Sequence, residues 1–478
     1  MDTDTRPVLT RFHRLEPPAV VPALDSGFRP AVLTNRRFVA DVQGRAEGVR
    51  LVLGLEQAEG SVSHYSARLL PERHPLADDN YAYAERLLKF LLWQRGAWKV
   101  YVAGPRGIFE HLRAVYSTDG ERAFDAHFMG TQVYLKPFTV VYCEAEEIPA
   151  PRESHRSLGR HLEGCRIGFD LGASDLKISA VIDGRPVFSQ EIEWHPREQT
   201  DPAYHKRHIL DALRLAASKM PRLDAIGGSS AGVYIRNRPM VASLFRGIAP
   251  ERFDEIRNLF LEIRDEMRVP LEVVNDGEVA ALAGSMSLDD SAILGLALGS
   301  SQAAGYVTPE GKITDWLNEL AFAPVDFAPD APVDEWSRDR GCGASYFSQQ
   351  CVFRLTDRAG ISLPSELSPA KKLEWVQERL EAGSEGAMAI WQTMGVYLGY
   401  GIAHYADFYD MRHVLLLGRC TSGRGGRILL EEARGVLACE FPELAKRLSV
   451  QLPDERSRRV GQAIAAASLP EIGEKASL

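Results

Sequence analysis

An acid and a corner of small residues interrupt an otherwise apolar run in RIGFDLGASDLKISAVIDG, residues 166–184. Apolar residues alternate along its first half, as in a strand with one buried face. The turn Gly172-Ala173-Ser174 would let backbone N–H groups approach a ligand. Two interpretations stay open. The segment is either a hairpin with a polar corner, or a phosphate cradle in which Ser174 adds a hydroxyl and Asp170 holds a hydrated Mg²⁺.

A second strand end rich in small residues occurs in LDAIGGSSAGVYIRNRP, which begins at Leu223. The apolar run opens into Gly227-Gly228-Ser229-Ser230, and taken alone this is an ordinary loop after a strand. Its position gives it interest, because ligands collect at the carboxyl ends of strands in open α/β sheets. We therefore keep Ser230 as a candidate ligand contact.

An acid also follows a strand in LEVVNDGEVAALAGSM, residues 271–286. The pattern predicts a strand over 271–274 and a small-residue helix after Asn275-Asp276. Either residue could cap that helix, a common role for both types. Asp276 could also act as a general base that takes a proton from a sugar hydroxyl, with Asn275 binding a neighbouring hydroxyl. The two interpretations are compatible.

Two later strands end in similar loops. In ILGLALGSSQAAGYV a strand enters Gly299-Ser300-Ser301 and a second strand leaves, which repeats the order of residues 166–184. Two such turns could hold one polyphosphate from both sides. The strand VLLLG ends at Gly418, before a small polar loop and a helix. That end is either a shelf for adenine and ribose or an ordinary strand-to-helix turn.

The elements that would position these groups alternate between strands and helices, which is typical of α/β layers. Hairpin-led blocks begin at residues 166 and 292, and they indicate a domain built twice. We assign the two units to residues 160–285 and 286–478.

The chain before these units predicts a separate N-terminal α/β domain at 1–150. It would begin with an irregular, proline-containing arm at 1–40. The hairpin–helix–strand order at 50–104 would make this domain a third, degenerate copy of the repeated unit.

Bulk composition limits the classes of function. The 478 residues carry a net charge of -9, which argues against a nucleic-acid-binding surface over the whole chain. No apolar run approaches the roughly 18 residues that span a bilayer, and the N-terminus lacks the apolar segment of a signal peptide. None of the six cysteines forms a CxxC pair. We predict a reduced, cytoplasmic protein that binds neither nucleic acid nor membrane.

Taken together in this order, the stretches resemble the actin and hexokinase ATPase superfamily, and within it the ROK group (repressor, open reading frame, kinase). FDLGASDLK is similar to the first phosphate motif, and NDGEVAALAG to the Asn-Asp catalytic stretch. GSSQAAG lies where the family has a glycine-rich loop, and WLNELAF where it has Gly-Glu-Ile-Gly-His. YLGYGIAHYADFYDMRHVLLLG is similar to the second connecting helix and the strand after it. The resemblance spans about residues 165–470.

The resemblance implies an α/β fold of two RNase H-like lobes (the actin-like ATPase fold) around a nucleotide cleft, preceded by the N-terminal domain. It implies an ATP-dependent sugar kinase, glucokinase- or hexokinase-like, that uses Mg²⁺ near Asp170, held through water. Asp276 would be the base, with Asn275, Glu319 and Ser230 as sugar contacts. It is also compatible with a homodimer. The implied cofactor-binding residues are Asp170, Gly172, Ala173, Ser174, Lys177, Gly299, Ser300, Ser301 and Gly418.

The sequence departs from the family pattern at several positions. Ala173 and Ser301 replace loop glycines, and a Cβ there can obstruct a phosphate. Phe322 stands where the family has a zinc-ligand histidine, and only Cys342 remains of its cysteine run, so we predict no structural zinc. The N-terminal domain is strand-rich and nearly charge-balanced, unlike the winged helix of ROK repressors.

Three functions remain open on the sequence. The first is an ATP-dependent sugar kinase, which the retained Asp170 and Asp276 favour. The second is a kinase-derived sugar or nucleotide sensor that has lost turnover, which the altered loops favour. The third is a superfamily ATPase that acts on something other than a sugar.

Overall fold

The computed structural model describes residues 12–44, 47–152, 155–156, 158–453 and 455–472. Within these ranges, no helix combines the length and the apolarity that a membrane crossing requires.

The N-terminal region contains one mixed sheet covered by helices. The sheet order is β2-β1-β3-β4, with β1 antiparallel to both β2 and β3, and β3 parallel to β4. The elements are α1 (Ala31–Gln43), β1 (Val49–Glu56), β2 (Val62–Leu69), α2 (Asp79–Arg95), β3 (Lys99–Ala103), α3 (Arg106–Val115), α4 (Ala123–His127) and β4 (Thr139–Tyr142).

The predicted irregular arm at 1–40 is wrong from residue 31 onward, where α1 begins. This helix has no side-chain cap at Pro30, so its ends give little sequence signal. Tertiary contacts stabilise it instead: Phe38 stacks on Tyr83 at a ring-centroid distance of 4.3 Å, and Arg36 pairs with Asp407 at 2.7 Å. Residues 1–11 of the predicted arm lie outside the described residues.

The first lobe is a five-stranded sheet in the order β8-β7-β6-β9-β12. Its first three strands form an antiparallel meander, and β9 and β12 continue it in parallel with β6. After a short strand β5 (His155–Arg156), the elements are β6 (Cys165–Leu171), β7 (Asp175–Ile182), β8 (Arg185–Glu193), α5 (Pro202–Ala217), β9 (Ala225–Ser230), β10 (Val233–Ile235), β11 (Arg238–Val241), α6 (Phe253–Met267), β12 (Leu271–Asn275) and α7 (Asp276–Leu288).

The second lobe repeats this plan in the order β17-β16-β13-β14-β15, with β5 added at the edge. The strands β13, β14 and β15 form the meander, and β16 and β17 run parallel to β13. The elements are β13 (Ile293–Leu298), β14 (Gln302–Val307), β15 (Ile313–Thr314), α8 (Gln349–Thr356), α9 (Pro369–Glu381), α10 (Glu385–Tyr405), β16 (His413–Leu417), α11 (Gly423–Glu440), α12 (Pro442–Arg447), β17 (Ser449–Gln451) and α13 (Glu455–Ala467). The predicted duplication is confirmed.

The N-terminal region is not a third copy of this unit, so that expectation is wrong. In each lobe, the next strand after the meander lies parallel to the first strand of that lobe. These pairs are β9 with β6 and β16 with β13. In the N-terminal sheet, β3 instead lies antiparallel to β1. The sequence order of hairpin, helix and strand does not distinguish the two arrangements.

The last helix does not follow the predicted boundary of a second unit at 286–478. Helix α13 returns to the first lobe, where the Arg166 guanidinium donates to the Pro470 carbonyl oxygen at 2.7 Å. The backbone of α13 lies so close to Gly168 and Gly227 that a Cβ on either would overlap the carbonyl oxygens of Ala463 and Ala466. The first lobe is therefore completed by the end of the chain.

The N-terminal region and the second lobe also share one hydrophobic core, which differs from the separate domain expected at 1–150. Phe90 of α2 stacks on Phe408 at 3.9 Å between ring centroids. Phe28 lies among Tyr346, Tyr397 and Tyr400.

A buried charge cluster reinforces this junction. The Lys89 side chain is fully buried, and its Nζ lies 2.9 Å from Asp125 and 3.2 Å from Asp339 of the second lobe. Burial by itself lowers the pKa of Lys89, but the two carboxylates outweigh it and raise the pKa. The whole cluster contains three cations and three acids: Lys89, Arg86, Arg122, Glu85, Asp125 and Asp339.

Candidate functional site

The carboxyl ends of three parallel strands of the first lobe are aligned. In the strand register, Leu171 of β6 pairs with Ser230 of β9, which in turn pairs with Asn275 of β12. This row lies at the edge of the sheet where open α/β folds bind ligands. One position earlier, Ser229 Oγ donates to Asp170 Oδ1 at 2.6 Å and fixes that carboxylate.

The turn after β6 is closed by its own hydrogen bonds. The Gly172 N–H donates to the Asp175 carbonyl oxygen at 2.8 Å, and Ser174 Oγ donates to Asp175 Oδ1 at 3.2 Å. Lys177 Nζ lies 3.1 Å from Asp175 Oδ2 and 3.8 Å from Asp170 Oδ2. Ala173 and Ser174 are exposed. The turn thus carries a cation beside Asp170.

Asn275 caps α7, and Asp276 is the first residue of that helix. The Gly277 N–H donates to Asn275 Oδ1 at 2.7 Å and to Asp276 Oδ1 at 3.0 Å. Asn275 Nδ2 donates to the Gly232 carbonyl oxygen at 2.8 Å, which leaves one of its two hydrogens for another acceptor. The cap therefore holds Asp276 at the start of α7. The Gly277 N–H contacts the Oδ1 atom of Asp276 and not its Oδ2 atom.

Close packing between glycines fixes this helix start against the second lobe. A Cβ on Gly277 would crowd the Ala304 carbonyl group, and one on Gly305 would overlap the Gly277 carbonyl oxygen. The backbones of α7 and β14 therefore approach as only glycine allows. Asp276 is positioned by both lobes at once.

Three acids share one electrostatic environment. Burial, and after it the Asp170 charge, together raise the pKa of Asp276 to about 6. Burial, then the Asp276 charge, raises the pKa of Glu319 to about 7. Burial also raises the pKa of Asp170. The Asp276 pKa thus responds to the charge of Asp170, and the Glu319 pKa responds to the charge of Asp276, as expected of like charges that lie close together.

A cavity of about 240 Å³ lies between the two lobes beside Asp276. Asp170 and Ser229 line it from the first lobe, and Gly418 and Arg419 line it from the second. Gly418 has a φ of +94°, and a Cβ there would overlap the Leu298 backbone, so glycine is required. The cavity brings Asp170, Asp276 and Gly418 together.

The two small-residue turns do not line this cavity. Gly172, Ala173 and Ser174 of the first turn are absent from its wall, and so are Gly299, Ser300 and Ser301 of the second. In the second turn the Gly299 N–H donates to the Ser301 carbonyl oxygen at 3.0 Å, and both serines are exposed. This cavity therefore does not join the two turns, and a polyphosphate held between them stays a prediction.

The predicted sugar contacts Ser230, Asn275 and Glu319 do not line the cavity. Ser230 is fully buried and neighbours Asn275 in the adjacent strand. Burial raises the pKa of the Tyr234 phenol, the nearby Ser230 hydroxyl lowers it, and the Asp276 charge raises it. Glu319 belongs to the loop after β15 and faces the same charge. Ser230, Asn275, Asp276 and Glu319 thus form one polar group.

Arg419 and Gln462 are among the cavity residues that the sequence analysis did not identify. Arg419 follows Gly418 directly and lines the cavity, and Gln462 of α13 reaches it from the end of the chain. Arg419 could have been identified from the sequence, because this cation directly follows Gly418, where the strand of the predicted adenine and ribose shelf ends. Gln462 could not, because nothing in the local sequence shows that α13 returns to this site.

Phe322 packs against the hydrophobic core, and Cys342 is fully buried. Phe322 stacks on Trp93 at 4.3 Å between ring centroids. Burial raises the pKa of the Cys342 thiol, which disfavours the thiolate that binds metals. Within the part of the chain that the structure describes, no cluster of three or more His, Cys, Asp or Glu side chains could hold a metal ion.

Comparison of the sequence with protein-family models gives no match. Comparison with curated protein sequences gives none either.

Solved structures do resemble the chain. One is the ROK hexokinase from Thermus thermophilus, 17% identical, which covers 63% of this chain and 97% of its own at a TM-score of 0.50. A ROK glucokinase from Streptomyces griseus in complex with glucose and AMPPNP is 18% identical, with 63% and 99% coverage and a TM-score of 0.47. A ROK transcriptional regulator, described as a homologue of the E. coli MLC protein, is also 18% identical, with 64% and 79% coverage and a TM-score of 0.47.

Proposed function

Because the chain has the actin-like ATPase fold of the ROK proteins, with an additional N-terminal region, we propose that it is an ATP-dependent sugar kinase. The observation that carries this proposal is Asp276. It begins the helix that joins the two lobes, it borders the interlobe cavity, and its pKa is about 6. A carboxylate with that pKa is mostly ionised at neutral pH, yet is a stronger base than an exposed aspartate.

In the proposed reaction the sugar lies against Ser230, Asn275 and Glu319, and ATP occupies the cavity. A sugar hydroxyl gives its proton to Asp276 as its oxygen bonds to the γ-phosphorus. The bond from that phosphorus to the β-phosphate oxygen breaks, and ADP leaves. Catalysis then depends mainly on positioning and on charge stabilisation.

Asp170 fits the role of holding hydrated Mg²⁺ beside the nucleotide. Mg²⁺ binds oxygen donors and usually keeps several waters, so one carboxylate together with phosphate oxygens is enough. Asp170 lines the cavity, and Ser229 orients one of its oxygens. The bound ion would supply charge neutralisation for the phosphates. Lys177 and Arg419 would add to it from the protein.

The second candidate is a sugar or nucleotide sensor without turnover. The position of the turns favours it, because Ala173, Ser174, Ser300 and Ser301 are exposed and lie outside the cavity wall. A kinase needs these turns to close on the phosphates, whereas a sensor does not.

The test is ADP release by the purified full chain with Mg²⁺, ATP and a panel of hexoses and amino sugars. We expect at least one sugar to stimulate release, and Asp276→Asn to reduce that rate about 10³-fold or more while ATP still binds. Binding without stimulated release would replace the kinase with the sensor. Equal rates for both proteins would remove Asp276 from the role of base.

A further inference from the structure

We propose that the N-terminal region forms part of the acceptor site, with Trp93 of α2 as the residue that positions Glu319. This inference rests on the proposed function, since it assigns Glu319 to the sugar side of the cleft. It gives the N-terminal region a role in the chemistry beyond its contribution to the shared core.

The loop that carries Glu319, here called the acceptor loop, is hydrogen-bonded to the end of α2. The Glu319 N–H donates to the Trp93 carbonyl oxygen at 2.9 Å, and the Asn318 N–H donates to the Gln94 carbonyl oxygen at 2.9 Å. The last carbonyl groups of a helix lack partners within the helix. In α2 two of these carbonyl groups accept hydrogen bonds from the backbone of the acceptor loop. The end of the helix therefore fixes the position of the Glu319 backbone.

The side chain of Trp93 holds the same loop a second time. Its ring stacks on Phe322, three residues beyond Glu319, at 4.3 Å between centroids and an interplanar angle of 29°. The ring is itself fixed, because its indole N–H donates to Asp125 Oδ1 at 2.8 Å. One residue of α2 therefore contacts both ends of the segment 319–322, through its carbonyl group and through its ring.

The contact is too close for a larger residue at the helix end. Gly96 follows α2 with a φ of +80°, and a Cβ there would collide with Leu317 and the Tyr134 hydroxyl group. From the other side, Tyr409 Oη donates to Asn318 Oδ1 at 2.8 Å. The acceptor loop is thus held between α2 and the second lobe and has little freedom to move independently of the N-terminal region.

The experiment measures the dissociation constant of a sugar from the full chain, by calorimetry without nucleotide. The sugar is the one from the hexose panel that binds most tightly. We expect Trp93→Leu to raise the constant tenfold or more, because Glu319 loses its support. Trp93→Phe keeps an aromatic ring on Phe322 and is expected to raise it less than threefold.

Trp391→Leu is the matched control. Trp391 is equally buried, and its indole N–H donates to the Cys420 carbonyl oxygen at 2.9 Å, away from the acceptor loop. We expect thermal stability to fall as in Trp93→Leu, with less than a twofold change in the sugar dissociation constant. Equal effects of the two leucine variants on sugar binding would overturn the positioning role.

Two further arms keep the test decisive. If Trp93→Leu does not fold, Phe322→Leu removes the same stacking and is expected to raise the constant fivefold or more; an unchanged constant overturns the proposal. If the full chain binds sugar without stimulated ADP release, the kinase fails but the Trp93 comparison still holds. If the full chain binds no sugar of the panel, both proposals fall.

Discussion

Asp276 is held in an environment that disfavours its charge. Its pKa in the fold is about 6, which is raised from 3.8 by burial and by Asp170. The folded state therefore binds the Asp276 proton more tightly than the unfolded state does. The resulting stabilisation is complete below the unfolded pKa and is lost as the pH rises through 6. An ionised Asp276 at neutral pH costs folding free energy that an uncharged side chain would not.

We therefore expect Asp276→Asn to be more stable than the parent at pH 8, by about 1–3 kcal/mol, and no more stable at pH 4. Asparagine can still accept the Gly277 N–H through its Oδ1 atom. Urea unfolding at pH 4, 6 and 8 measures the difference. Asp211→Asn, at an exposed site, is the control and should shift stability little at any of these pH values. A gain that does not depend on pH would contradict the assigned pKa.

Arg419 contributes positive charge to a cavity whose other charged wall residues are Asp170 and Asp276. ATP would bring several negative charges to these two acids. We expect Arg419→Ala to raise the dissociation constant of ATP about five- to twentyfold, with a smaller change at high salt because screening weakens the contribution.

Arg427→Ala is the control for this prediction, because Arg427 is exposed on α11, eight positions after Arg419, and does not line the cavity. Calorimetric titration with ATP at two salt concentrations measures both variants. Identical ATP affinities for the Arg419 and Arg427 variants would remove Arg419 from nucleotide binding.

At the scale of elements, the buried charge cluster joins α2 and α4 to the second lobe. We expect Lys89→Met to lower the free energy of unfolding by about 3–5 kcal/mol, because Asp125 and Asp339 would be left in the core without their shared cation. Lys206→Met removes an exposed pair with Glu262 and should cost less than about 1 kcal/mol. Urea unfolding of both variants is the measurement. Similar losses would mean that the cluster adds nothing to the junction.

Element type was predictable where local patterns were strong. The alternating run at 167–171 and the small-residue turn after it predicted the β6–β7 hairpin, which the structure confirms. The sequence also indicated the acids at two strand ends, and the parallel register explains why Asp170 and Asp276 meet. These are properties of short segments.

What could not be predicted depends on contacts between distant segments. From the sequence, Lys89 would be expected to face solvent. It is buried because Asp125 and Asp339, which lie 36 and 250 positions away, pair with it. The antiparallel pairing of β1 with β3 is likewise invisible in the order of elements. The cavity wall contributed by Gln462 belongs to the same class.

At the scale of the whole molecule, the N-terminal region and the second lobe form one packed body, and the first lobe packs against it. The residues from 19 to 30 show how close this union is. The Ala19 N–H donates to Glu440 Oε1 at 2.6 Å, the Leu24 N–H to Thr393 Oγ1 at 3.1 Å, and the Arg29 N–H to Asp326 Oδ1 at 2.9 Å. Sequence order is therefore a poor guide to which parts pack together.

The return of α13 to the first lobe has a consequence for synthesis on the ribosome. Strands β6 and β9 emerge early, but the helix that covers Gly168 and Gly227 follows about 240 to 300 residues later. The face of the first sheet must stay uncovered until nearly all of the second lobe has been made. Of the two lobes, the nascent chain therefore completes last the one that it begins first.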